Sequence, residues 1–447
     1  MNTNLDGLIH GSVSDISQAL PHEVTFDAAK SIKITLKRLL RAVPGRRYVF
    51  EGELDGQQKL IKCFVHPKRH KKHCEREYRS TKRLVSLTDH AVSVEQIEAG
   101  KALSVLAYEW LSEAKTLKEL LPALPLDKQI EKLSSVLEVL MKLHDKGVRQ
   151  RDLHLGNLLV SQAQWYLIDA DTISFHDGGI SKDSRRENLI VFMAQLNPLI
   201  YEHLNVFMEQ FHIAGLFDSE EELLQSIWEQ RKLINRRYLK KSLRKASAFD
   251  VQKLGAFRVH VDKRTHAEPQ ALLMRALDEL QSRRQETLTL KDRGHDYQLF
   301  VGRRDDCLHL WNLSQTLVHE KIPCLKPLAL FEQKRFLGRG KAAVLIESQD
   351  SKPAALRTAM EQSEELRHQW LNLCVQAYFA NILPLNLSEQ LCLRDGMLVL
   401  RPEGTIDVFK HQRSLADFSH SLLQSMSTLN LPLNDPQYQR LRRLSLI

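Results

Sequence analysis

The stretch from Arg149 to Asp171, RQRDLHLGNLLVSQAQWYLIDAD, sets the strongest limit on what this chain can fold into. It places acidic and amide side chains in two short loops with apolar runs between them. Asp152 and Asn157 lie five positions apart, and a run of alternating apolar character through Trp165 and Leu167 delivers Asp169 at its end. Asn157 and Asp169 can offer hard oxygens to a magnesium ion that bridges nucleotide phosphates. Asp152 stands where a carboxylate can take a proton from an attacking hydroxyl.

With 447 residues the chain is long enough for two or three domains, and two is the expectation. Hydrophobic residues at 43% and charged residues at 27% exclude a disordered or fibrous class. The first twenty residues lack the basic start and apolar run of a secretory signal, and no stretch reaches eighteen apolar residues, so the expectation is a cytoplasmic protein. Six cysteines without a C-x-x-C pair suggest neither a zinc site nor a disulfide framework. A net charge of +9 calls for an anionic partner.

Residues 1–28 read as an irregular lead or a short helix, with Ser14 and Asp15 as caps. Strand patterns follow at 32–42, 48–54 and 59–65. The turn Pro44-Gly45-Arg46 joins the first two and Asp55-Gly56 the last two, which makes an antiparallel meander. A basic loop, His66 to His73, opens into a helix over 74–87, and a strand over 103–111 leads to a helix over 126–144. Beyond Asp171, helical spacing dominates from Arg186 to about Lys245 and ends in a dense basic run at 236–245.

In this order the residues resemble the protein-kinase-like fold, an α+β bilobal architecture with a small antiparallel-sheet lobe and a helical lobe. The resemblance places a catalytic domain at 29–250, its small lobe at 29–111 and its large lobe at 112–250. It implies ATP and Mg2+ as cofactors. Lys62 would be the strand lysine and Glu77 the helix glutamate that orients it. Gly45 would mark the phosphate-covering turn, and Glu109 to Leu111 the linker to the adenine. Asp152 would be the catalytic base, flanked by Arg151 and His154, with Asn157 and Asp169 as metal ligands. His154 stands where serine/threonine protein kinases usually carry Lys, which favours a non-protein acceptor. Ala170-Asp171 replaces Phe-Gly, the activation segment is short, the turn has a single glycine, and Gln150 replaces the usual His.

Within that superfamily the chain is most similar to bacterial lipopolysaccharide core kinases, the heptose and Kdo kinases. The residues that carry this are REYRSTKRL at 76–84, RDLHLGNLLV at 151–160, LIDAD at 167–171 and RRENLI at 185–190. The resemblance implies phosphate transfer to a sugar hydroxyl of an anionic glycolipid, with peripheral contact at the cytoplasmic face of the inner membrane. A kinase for another small hydroxylated acceptor is one alternative, and a non-catalytic scaffold is another. Nucleic acid is disfavoured, because the basic runs lack interleaved aromatics apart from Tyr238.

From about residue 251 the pattern starts again, which suggests a second kinase-like domain at 251–447. Strand patterns at 287–291 and 297–302 precede a helix pattern at 311–320, and KAAVLIE at 341–347 matches LSVLAYE at 103–109. Leu391 to Leu400 aligns without a gap on Leu158 to Leu167. On that register Leu385, Gln390 and Pro402 fall opposite Asp152, Asn157 and Asp169, and Leu310 takes the place of Glu77. Such a copy is a pseudokinase.

Overall fold

The computed structural model describes residues 16–17, 20–26, 32–97, 103–213, 215–266, 268–282, 287–333, 341–349, 353–380, 382–384, 391–402 and 406–408. The chain divides into two units: 1–195 with 209–216, and 196–208 with 217–447. Residues 196–208 and 217–250, which the sequence pattern places in the domain at 29–250, group by contacts with the second unit. Ser14, Asp15, Leu385 and Gln390 lie outside the described residues.

The first unit opens with a six-stranded antiparallel sheet. Its strands are β1 (His22–Phe26), β2 (Ile32–Val43), β3 (Arg47–Leu54), β4 (Gln57–Phe64), β5 (Val94–Ile97) and β6 (Ser104–Glu109), in the order β1-β2-β3-β4-β6-β5. The lead is thus not wholly irregular: His22–Phe26 adds a strand along the long β2, with Val24 opposite Ile34. Asp55 and Gly56 both adopt the left-handed region, φ 48° and 82°, as the tight β3–β4 hairpin requires. Alternation of the strands sends Tyr48, Phe50, Ile61, Cys63 and Val105 to one face, where they form an apolar core. The opposite face receives helix α1 (His70–Leu87), which turns His70, Cys74, Glu77, Thr81 and Leu84 inward at three- and four-residue spacing.

The chain then passes through the short β7 (Lys115–Thr116) and α2 (Leu117–Leu120) into α3 (Leu126–Asp145). This helix buries Leu133, Val136, Leu137, Leu140 and Leu143. Strands β8 (Val148–Gln150), β9 (Leu158–Ser161), β10 (Gln164–Leu167) and β11 (Ile173–Phe175) form two small sheets, β10-β9-β7 and β11-β8, and α4 (Lys182–Met193) follows. Helix α5 (Leu204–Ile213) spans the division between the units. A small sheet with one covering helix, followed by a mainly helical part carrying short hairpins, is compatible with a bilobal kinase-like fold.

The second unit contains α6 (Glu220–Ser242), β12 (Phe249–Leu254), β13 (Phe257–Asp262), α7 (Gln270–Ser282), β14 (Leu288–Asp292), β15 (His295–Arg303), α8 (Arg304–His319), β16 (Pro327–Gln333) and β17 (Lys341–Ser348). Helices α9 (Pro353–Gln362) and α10 (Glu364–Phe379) and strands β18 (Ile382–Pro384), β19 (Leu391–Arg394), β20 (Met397–Leu400) and β21 (Ile406–Val408) follow. Its sheet runs β12-β13-β16-β17-β15-β14. In this sheet β14-β15-β17-β16 neighbour one another as β3-β4-β6-β5 do in the first, and in each case a helix intervenes after the second strand. The sixth residue after Gly56 is Lys62, opposite Leu106, and the sixth after Gly294 is Phe300, opposite Val344. Among the described residues no helix is long and apolar enough to cross a membrane.

Candidate functional site

Four charged side chains of the first unit meet behind the β2–β3 turn. Lys62 sits centrally in β4 between Val49 and Leu106, with 7% of its surface exposed. Its Nζ donates to Glu77 Oε1 of α1 and, at 3.1 Å, to Asp169 Oδ1. Tyr108 donates its hydroxyl to the same Glu77 oxygen at 2.6 Å. Burial and the neighbouring Glu77 carboxylate push that phenol well above its ordinary range. The fourth member is Arg47, the first residue of β3. Its Nη1 lies 3.3 Å from Asp169 Oδ1 and 3.9 Å from Glu77 Oε2. Burial alone would raise the Asp169 carboxyl, but Lys62 and Arg47 outweigh it and hold the group at about 2. Asp169 is therefore an anion at any physiological pH.

Asp169 has a φ of 62°, in the left-handed region that side chains other than glycine seldom adopt. The partners that hold it there are buried. Gln150, 2% exposed, donates through Nε2 to the carbonyls of Ile168 at 3.2 Å and Asp169 at 3.3 Å, and accepts from Thr172 Oγ1 at 2.5 Å. Behind it, Asn188 Nδ2 donates to the Gln150 carbonyl at 2.7 Å, which turns the Asn188 oxygen toward His144 Nε2 at 3.0 Å. Burial lowers His144 to about 4, so the ring is neutral at pH 7. The network then assigns its proton to Nε2, and the buried Nδ1 is the nitrogen that lacks a partner. Gln150 thus anchors the Asp169 loop from the place where the resemblance would have a histidine.

The catalytic-loop candidates adjoin that loop, since the Ile168 amide donates to the Asn157 carbonyl at 2.9 Å. Asn157 is 3% exposed and donates Nδ2 to the Asp152 carbonyl at 2.9 Å, which leaves its side-chain oxygen as the potential ligand. The carboxylate of Asp152 is 65% exposed, open to an incoming acceptor. His154 accepts at Nδ1 from Gly156 N at 3.0 Å, and its Nε2 lies 4.0 Å from Asp152 Oδ2. Arg151 is exposed and donates its amide to the Thr172 carbonyl.

Gly45 has φ 69°, and a Cβ placed there meets nothing within 4 Å. The turn from 44 to 46 is short, closed by Arg46 N to Val43 O at 3.0 Å, and it is Arg47 that reaches the ion cluster. Glu109 ends β6 exposed, with its amide bonded to Ser93 O, and the Leu111 carbonyl accepts from Ala114. Neither side chain joins the cluster. The structure therefore brings together Lys62, Glu77 and Asp169, with Asp152 and Asn157 on the adjoining loop, and adds Arg47 and Gln150. Arg47 is hidden in the sequence among neighbouring arginines, and Gln150 is visible there only as a departure from the family pattern.

Helix α1 is also tied to the segment after Asp169. Arg76 Nη2 pairs with Asp171 Oδ2 at 2.9 Å, and the Arg83 guanidinium lies 4.7 Å from the centre of the Phe175 ring.

Whether the residues suit a divalent cation with a nucleotide can be judged from their chemistry. Among the described residues no three His, Cys, Asp or Glu side chains gather as a protein-only metal cage. A cation that also binds phosphate needs few protein ligands, and one ionised carboxylate with one amide oxygen meets that requirement. Glu77 Oε2, buried without a hydrogen bond, and the two cations around it complete a charged cradle that fits the group.

No family model matches the chain, and no curated protein matches it. Among solved structures, a chain titled "WaaP in complex with acyl carrier protein" is 15% identical. The match covers 45% of this chain and 88% of that one, with a TM-score of 0.31, a likeness that carries no argument.

Proposed function

We propose that the first unit is an ATP-dependent phosphotransferase that acts on an alcohol hydroxyl. The observation that carries this reading is the junction of Lys62, Glu77 and Asp169 beside the Asp152–Asn157 loop. Bound ATP with Mg2+ would supply the phosphoryl group and neutralise its oxygens. Lys62, held by Glu77, places a fixed positive charge against phosphate. Asp169 and Asn157 would hold the cation. Asp152 takes the proton of the acceptor hydroxyl as its oxygen bonds to the terminal phosphorus and the bond to the leaving phosphate breaks. His154 borders Asp152 and contributes to its setting.

The acceptor we propose is a sugar of an anionic, lipopolysaccharide-core-like glycolipid, met by peripheral contact at the inner membrane. The motifs at 76–84, 151–160 and 185–190 support it, as do the exposed Lys68, Arg69, Lys71 and Lys72 of the first unit and Arg236, Arg237, Lys240 and Lys241 of the second.

The second unit, in this proposal, is a degenerate copy that has lost nucleotide binding. Its matching strand order supports this, as do two hairpins with the same turn: Gln162 and Ala163 at φ 49° and 65°, Asp395 and Gly396 at 51° and 77°. Leu167 N donates to His90 O at 2.8 Å, and its counterpart Leu400 N donates to Pro323 O at 2.8 Å. In that register Phe300 replaces Lys62 and packs with Cys307 and Trp311, while Pro402, opposite Asp169, has no side-chain oxygen.

The test is phosphate transfer by the full chain with Mg-ATP and a glycolipid acceptor. Asp152→Ala is expected to lower turnover by roughly 10²-fold or more. Wild-type turnover no faster than that of the variant would refute the reading. An unchanged phosphate content of the core glycan in a strain lacking the protein would refute the acceptor.

A further inference from the structure

We propose that Arg47 is a ligand for the polyphosphate of a nucleoside di- or triphosphate, parked on Asp169 until that carboxylate takes up a cation; this rests on the nucleotide-binding reading above. The cluster holds two cations and two carboxylates. Lys62 alone already bonds both carboxylates. Arg47 is therefore surplus to that pairing, and only its Nη1 makes a hydrogen bond among the described residues. Its remaining guanidinium nitrogens form a planar fork of the kind that matches two phosphate oxygens at once.

Its position fits the role. The side chain is 19% exposed, shielded enough to be aimed yet open to a ligand. It springs from the first residue of β3, held in the ladder opposite Phe64, directly after the turn at 44–46. That turn is too short to wrap a phosphate chain in backbone amides, as a longer glycine-rich loop does. A side chain carried on a rigid strand supplies the missing donors. When Asp169 turns to a cation, Arg47 loses its nearest carboxylate, and the anion entering with that cation lies within reach of the same fork.

A guanidinium that merely blocks the site would produce the opposite sign of effect, and this makes the test decisive. The full chain would be titrated calorimetrically with Mg-ATP, Mg-ADP and adenosine, as wild type, Arg47→Ala, Arg47→Lys and Lys62→Met, with the ligand-free melting temperature as the check on folding. Arg47→Ala is expected to weaken Mg-ATP binding by about tenfold to a hundredfold, the range of a charge-assisted hydrogen bond. Adenosine binding should stay unchanged. Arg47→Lys should recover part of the loss, since it keeps the charge and loses the fork; if Arg47→Ala does not fold, Arg47→Lys must itself bind Mg-ATP several-fold more weakly than wild type. Mg-ATP binding unchanged or tightened in the arginine variants, while Lys62→Met weakens it, overturns the role of Arg47 alone. A wild-type chain that binds no nucleotide overturns both this role and the reading beneath it.

Discussion

Replacing Gln150 with leucine tests how the Asp169 loop is held. The side chain is 2% exposed, and leucine nearly preserves its volume, so the change removes hydrogen bonds and little packing. Asp169 O would still receive Thr172 Oγ1 at 3.2 Å, and Thr172 would keep that partner. Ile168 O loses its donor outright, and a half-buried carbonyl left without one costs toward the lower part of the range of about 1–3 kcal/mol. The bonds lost at Asp169 and Thr172 add a fraction of the usual ~1 kcal/mol each. Gln150→Leu should therefore make local opening of residues 168–172 easier by about 2–3 kcal/mol. Amide hydrogen exchange reads this directly, which suits a chain of two units whose global unfolding need not be two-state. Gln150→His, with one ring N–H able to reach one carbonyl, should fall between the two. Exchange in Gln150→Leu within about 0.5 kcal/mol of wild type would refute the claim that this amide anchors the loop.

Other substitutions give equally direct readings. Gly147 has φ 74°, and a Cβ there would stand 1.8 Å from the His176 carbonyl, a backbone atom that cannot step aside. Gly147→Ala should cost more than about 3 kcal/mol in the hydrogen-exchange stability of β8 and β11; a cost under about 1 kcal/mol would contradict the close approach of residue 147 to the segment after β11. His144 titrates at about 4 when folded and near 6.5 when unfolded, so the unfolded chain binds the extra proton between those values. Stability should fall by about 3 kcal/mol as pH drops through that window, in the company of Asn188, Asp145, Arg149 and Arg185, and His144→Gln should flatten this contribution. His319, also buried and lowered to about 4, adds its own slope, which His144→Gln leaves in place.

What can be read in advance follows local chemistry. Asp55-Gly56 announces its hairpin because both residues tolerate the left-handed region, whereas Gln162 and Ala163, at φ 49° and 65°, carry no such mark and their tight turn shows only as a polar break between two apolar stretches. Lys62, Glu77, Asp152, Asn157 and Asp169 are legible because their spacing follows the order of the elements. The grouping of residues 217–250 with the second unit is not. It depends on pairs far apart in sequence, such as Arg231 with Glu320 and with the Tyr201 hydroxyl, and nothing in the spacing of α6 announces a buried ionic partner 89 positions on. The strands β12 and β13 also go unannounced although Gly255, at φ 56°, turns the chain between them, because Asp250, Gln252, Lys253, Arg258 and His260 break up the apolar pattern on either side.

The two sheets differ in what sits at one register position, and the difference bears on how each half can vary. At Lys62 the neighbours are Glu77 and Tyr108, joined by side-chain bonds to single atoms; at Phe300 the ring packs by contact among Cys307, Trp311 and Ile346, and the bond from Cys307 Sγ, at 3.9 Å, goes to the backbone carbonyl. A directional cluster admits almost no replacement, because each partner's atoms are spoken for. A cluster held by shape admits any set of side chains of the same total volume. A random-substitution library should therefore return near-invariance at residue 62 and a broad choice of leucine, isoleucine and methionine at residue 300.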